Sequence, residues 1–192
     1  MKISILLPYK ENFSPVYPGA VSLFVNDTLK LSKFKKSIKV YGNTSYKKKF
    51  SNNYKNIKLK RMFFGSQSEN YMDEFIKIEK SSPSQIIEIH NRPHYLKYLI
   101  KEGVTSKFVL YFHNDPLTMT GSKSLGERKY IVDICDKIIF NSQWSKKRFL
   151  EKFPSGSLSS EKLIVIFQSA SKNKVNLSKK KKWITFVGKL NR

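Results

Sequence analysis

Short apolar runs alternate with amphipathic stretches along most of this chain. KISILLP (residues 2–8) reads as a first strand, and residues 11–18, with Pro15 and Pro18, as a loop. From Gly19 to about Phe34, Val21, Phe24, Val25 and Leu31 recur at helical spacing. SIKVYG (37–42) predicts a second strand. The polar residues 43–56, with Lys47, Lys48 and Lys49 in a row, predict a surface loop, and NIKLKRMFF (56–64) a third strand. Residues 69–80 carry Tyr71, Met72, Phe75 and Ile76 on one helical face. QIIEIH (85–90) is a buried-type strand; Pro93 then suits the first turn of a helix bearing Tyr95, Leu96, Leu99 and Ile100, which Gly103 ends.

The run from Lys107 to Phe167 is the most regular. KFVLYF leads into His113-Asn114-Asp115-Pro116, a helical stretch follows, KIIF ends in Asn141-Ser142, another helix follows, and KLIVIF closes the run. Strands alternating with helices at this spacing predict an α/β, Rossmann-like parallel sheet of six or seven strands with helices on both faces. Ligands bind such sheets beyond the carboxyl ends of the strands. His90 and His113 stand at two of those ends, each as His-Asn with a proline close behind, and Asn141 at a third. A strand-end imidazole can move a proton, hold a hydroxyl or phosphate oxygen, or be satisfied by loop backbone. Pro18-Gly19-Ala20 links the first strand to the first helix, where a small residue lets a ligand approach the backbone or simply starts the helix.

Composition narrows the class. Hydrophobic residues make up 40% of the 192 residues and aromatic residues 14%, enough for a packed core and too much for disorder. The single cysteine, Cys135, lies in the apolar YIVDIC, fits a small core residue, and points to a reducing, cytoplasmic compartment. No apolar run is long enough to span a membrane. The formal charge is +23, and of the 37 basic residues 32 are Lys and only five Arg. Arg is the residue for bidentate recognition of bases, so specific nucleic-acid binding is disfavoured. A solvated Lys coat, peripheral contact with an anionic membrane, and phosphorylated substrates all remain open. The sequence contains no GxGxxG, Walker A, GxSxG, HExxH or CxxC motif, so a dinucleotide fold, a P-loop enzyme, a serine hydrolase and a zinc site lose their usual signatures.

Taken in order, the motifs resemble the N-terminal half of a family 4 glycosyltransferase of the GT-B fold. ISILLPY leads to PGAVSLFVNDTLKLSK, where that family has its glycine loop. IIEIHNRP, KFVLYFHNDP and DKIIFNSQWSKKRFLEKF follow at the family's spacing. EKLIVIF stands before the family's "P-N-G-V" stretch, which here reads Phe167-Gln168-Ser169-Ala170, and WITFVGKLNR resembles the strand that opens the second domain. The resemblance implies a retaining transfer of a sugar from a nucleotide-sugar donor to a glycan or lipid-linked acceptor, as in lipopolysaccharide or other cell-envelope synthesis. It implies no metal and no cofactor beyond the nucleotide-sugar co-substrate. It implies an acceptor-binding domain over residues 1–168, a Lys-rich linker over 169–182, and in 183–192 the first strand of a donor-binding domain that the chain does not contain. His113 would lie against the transferred sugar as the catalytic-site histidine. Gly19, His90, Asn91, Asn114 and Ser142 would border donor or acceptor, and Lys189 would face the diphosphate. The alternative from another class is a basic α/β nucleic-acid-binding module without catalytic activity.

Overall fold

The computed structural model describes residues 1–60, 65–154 and 161–168. Among them, seven strands form one parallel sheet in the order β3-β2-β1-β4-β5-β6-β7. The strands are β1 (Ile3–Leu6), β2 (Ile38–Gly42), β3 (Tyr54–Asn56), β4 (Ile86–His90), β5 (Lys107–Phe112), β6 (Lys137–Phe140) and β7 (Leu163–Val165). The helices are α1 (Ala20–Leu31), α2 (Gln67–Ser81), α3 (Tyr95–Lys101), α4 (Leu125–Ile134) and α5 (Gln143–Leu150). The α/β, Rossmann-like architecture expected from the alternating pattern is the one observed.

Strand alternation sorts side chains between two cores. Leu6, Ile87, Ile89, Phe108, Leu110, Phe112, Ile138 and Phe140 face α2, α3, α4 and α5 in the larger one. Ile3, Ile5, Leu7, Ile38 and Val40 face Val21, Val25 and Leu29 of α1 in the smaller. Helices thus cover both faces, four on one side and α1 on the other. Cys135 is buried in the larger core, and burial pushes its thiol up to about 12, so it behaves as a small apolar residue.

Local chemistry sets the helix ends. α2 and α4 both begin with a capping box: Ser66 Oγ accepts from the Glu69 N–H at 3.1 Å, and Ser124 Oγ from the Glu127 N–H at 3.2 Å, while each glutamate reaches back to its serine's N–H. Gly103 follows α3 with a positive φ of 73°, as a helix-ending glycine should. A buried carboxylate, Glu79, accepts from Ser4 Oγ at 2.5 Å and from the Ser84 N–H at 2.9 Å, tying α2 to β1 and to the lead-in of β4. One element departs from expectation. The third strand pairs with β2 at Tyr54–Asn56, not along residues 56–64. Only Tyr54 of its three residues is buried, so this edge strand has almost no apolar pattern to announce it. Residues 61–64 of the expected strand lie outside the described residues, as do 169–182 and 183–192.

Candidate functional site

The order in which the chain lays down its parallel strands reverses between β1 and β4: β1 leads outward to β2 and β3 on one side, and β4 to β7 extend on the other. The crevice outside the carboxyl ends at such a switch point is where open α/β sheets bind ligands. The loop after β1, His90 at the end of β4, His113 just past β5 and Asn141 just past β6 all meet on this edge.

His113 is held from both sides. Its backbone N–H donates to Asn91 Oδ1 at 2.7 Å, and its carbonyl accepts from Asn141 Nδ2 at 2.7 Å. Asn91 takes a positive φ of 52°, which asparagine tolerates better than most residues, and its own N–H donates to the Tyr111 carbonyl at 2.9 Å. The asparagines after β4 and β6 therefore splint the residue after β5. Asn91 works through His113 rather than facing a ligand with its side-chain oxygen.

The imidazoles lie against each other. His90 and His113 lie edge to edge, nearly parallel, with ring centroids 5.1 Å apart and ring nitrogens 2.8 Å apart, and Tyr111 stacks on His90 at 4.8 Å. Phe24 of α1 meets His113 edge-on at 5.0 Å. Within this aromatic nest His90 is fully buried. Burial, reinforced by the neighbouring His90, lowers the His113 pKa to about 3, so its ring is neutral at physiological pH. A neutral imidazole keeps one unprotonated ring nitrogen, which can accept a hydrogen bond from a hydroxyl group and so orient it.

Two of the positions expected to border a ligand take part in helix caps within the protein. Gly19 precedes α1 and has no side chain to cap it. The Glu11 carboxylate does so instead, accepting from the Ser22 N–H at 2.9 Å. A Cβ added at Gly19 would lie 1.8 Å from Glu11 Oε1, so the space glycine leaves is filled by a carboxylate at the positive end of the helix. Gly19→Val is thus expected to expel Glu11 and to lower stability by about 0.5–2 kcal/mol, the usual worth of a helix cap. Equal denaturant midpoints for variant and wild type would show that Glu11 does not hold α1. Ser142 caps α5, its Oγ accepting from the Ser145 N–H at 3.1 Å. Asn114 is exposed at the mouth of the edge. Asp115 pairs with Arg148 at 3.0 Å and fastens the His113 loop to α5. Lys189 lies outside the described residues.

Four residues at this edge escape a reading of motifs alone: Glu11, Phe24, Glu88 and Gln168. Glu88 carried a signal, being the one charged residue in the apolar strand QIIEIH and two positions from His90, hence on the same face.

No protein-family model matches the sequence, and no curated protein matches it significantly. Solved structures do match. Anabaena HepE in complex with UDP and glucose shares 15% identity over 88% of this chain and 45% of its own, with a TM-score of 0.53. HepE in complex with UDP-glucose shares 13% over 85% and 43%, at 0.52. Sucrose-phosphate synthase from Thermosynechococcus elongatus shares 9% over 87% and 48%, at 0.56. The chain spans under half the length of each of these structures. At these identities the likeness is one of fold, the α/β, Rossmann-like architecture.

Proposed function

We propose that this chain is the acceptor-side domain of a nucleotide-sugar-dependent glycosyltransferase of GT-B architecture that transfers its sugar with retention. The observation that carries the reading is the neutral, doubly splinted His113 at the carboxyl edge of the switch point. The motif order supports it, as does the similarity to structures that hold UDP, glucose or UDP-glucose. Sugar transfer from a nucleotide donor builds positive charge on the sugar and negative charge on the leaving diphosphate. A neutral imidazole at the sugar orients hydroxyls without adding a cation beside the developing one. The diphosphate calls for positive charge elsewhere, the role proposed for Lys189.

The deciding experiment offers the protein, as the cell makes it, a panel of nucleotide sugars with glycan and lipid-linked acceptors. Nucleotide release and the product's anomeric configuration are then measured. Nucleotide-sugar-dependent product of retained configuration is expected. An inverted product overturns retention; no turnover, together with sequence-preferring binding of duplex DNA at physiological salt, overturns the enzyme in favour of a nucleic-acid module. We also propose that the Lys coat seats the protein on an anionic membrane bearing the acceptor. No helix among the described residues is long and apolar enough to cross a membrane, so such contact would be peripheral. Cosedimentation with anionic vesicles should then weaken as salt rises, because the attraction is screened over about 8–10 Å at 0.10–0.15 M. Salt-independent binding, or none, would refute it.

A further inference from the structure

The two strand-end imidazoles are the middle of a four-member hydrogen-bonded row. A Glu88 carboxylate oxygen lies 2.7 Å from His90 Nε2, His90 Nδ1 lies 2.8 Å from His113 Nε2, and Gln168 Nε2 lies 2.9 Å from His113 Nδ1. The ends of the row differ in kind. An ionised carboxylate only accepts, and an amide nitrogen only donates.

Those ends fix every proton between them. At the outer end, His113 Nδ1 receives the Gln168 amide proton and so carries the lone pair. A neutral ring then has its proton on Nε2, which donates to His90 Nδ1. His90 in turn carries its proton on Nε2 and donates it to Glu88. Starting from Glu88 with neutral rings gives the same answer, and that end cannot reverse, because a carboxylate only accepts. The row is enclosed: His90 is fully buried, Tyr111 stacks on it, and Phe24 closes the side toward α1. Strand geometry assembles the row. Glu88 and His90 are two apart on one face of β4, and His90 is in register with Tyr111, so the next residue on that face of the neighbouring chain is His113.

We propose that Glu88 and His90 are positioning residues that hold His113 as the Nε2–H tautomer, with its Nδ1 lone pair turned to the mouth of the site. The group His113 receives there is an O–H donor, which would meet the same Nδ1 lone pair that the exposed Gln168 amide contacts. That the donor is a sugar hydroxyl rests on the glycosyltransferase reading; the tautomer does not.

Ring ¹⁵N NMR of the whole chain tests this at neutral pH. Only three histidines are present, and His113→Gln assigns the His113 signals by removing them. In wild type, His113 Nδ1 should resonate as the bare nitrogen and Nε2 as the protonated one. Glu88→Gln keeps the size of the side chain but offers either an oxygen or an NH₂ to His90, and the exposed Gln168 amide can likewise turn its oxygen or its NH₂ to His113, so the row can run both ways. His113 should pass from one tautomer to a mixture of two. Gln168→Ala leaves the carboxylate in control, and the wild-type tautomer should persist. A proton on Nδ1 in wild type, an unmixed tautomer in Glu88→Gln, or a reversed one in Gln168→Ala would overturn the proposal. Should Glu88→Gln or Gln168→Ala fail to fold, the wild-type spectrum, with His113 assigned, decides by itself. Failure of the protein to turn over any nucleotide sugar would bear on the glycosyltransferase reading and leave this result standing.

Discussion

Under the proposed glycosyltransferase function, replacing His113 by alanine is expected to lower turnover by about 10²–10⁴-fold, the range for one positioned polar group, while leaving the fold in place. The fold should survive because the backbone of residue 113 is held by Asn91 and Asn141 whatever side chain it bears. A second consequence separates a buried neutral imidazole from a solvated one. The His113 pKa is lowered to about 3 by burial, against an ordinary value of 6.5. Below pH 6.5 the unfolded chain takes up a proton that the folded chain refuses. The ring's contribution to stability is therefore fully present above 6.5 and lost as pH falls toward about 3. His113→Ala should remove that part of the acid sensitivity, read from melting temperatures across the same window. Near-normal turnover, or a variant that does not fold, would make His113 a purely structural histidine.

The architecture was legible because parallel strands buried on both faces are short apolar runs, and this chain has six clear ones. The seventh, β3, was not, since an edge strand with one buried residue leaves no pattern. The convergence of His90, His113 and Asn141 was also legible: residues that follow parallel strands must share an edge. Their partners were not. Glu11 lies eight positions before Gly19, and nothing in local sequence says that its carboxylate turns back into the gap. Gln168 belongs to the stretch that departs most from the family pattern, where a likeness of motifs offers no guide, yet its side chain reaches His113. Glu88 was visible as an anomaly in an apolar strand. Its purpose depends on the register of β4 against β5, which pairs residues across more than twenty positions of sequence. Local pattern thus places the histidines, and tertiary register supplies what polarises them.

Phe112→Ala, one residue away from His113, is expected to do the opposite: cost about 3–5 kcal/mol of stability and leave turnover per folded molecule nearly intact. Successive strand residues point to opposite faces, so Phe112 enters the larger core while His113 faces α1. The Phe112 ring is fully buried, lies nearly parallel to Phe140 at 5.6 Å, and meets Phe149 at 5.5 Å. Phe140 and Phe149 pack on each other at 5.3 Å, so both are already fixed between β6 and α5 and cannot move far into the space a missing ring leaves. The loss is therefore transfer free energy plus an unfilled cavity, a large share of the roughly 5–15 kcal/mol by which a domain is stable. Denaturant unfolding should show a lower midpoint with an unchanged slope, because the native state stays compact. Activity normalised to the folded fraction should remain near wild type, since Asn91, Asn141 and the Glu88–His90 row reach His113 without passing through Phe112. A loss below about 1 kcal/mol would mean that the aromatic cluster repacks. A fall in normalised turnover matching that of His113→Ala would mean that the core beneath the strand, and not the splint above it, sets the position of the imidazole.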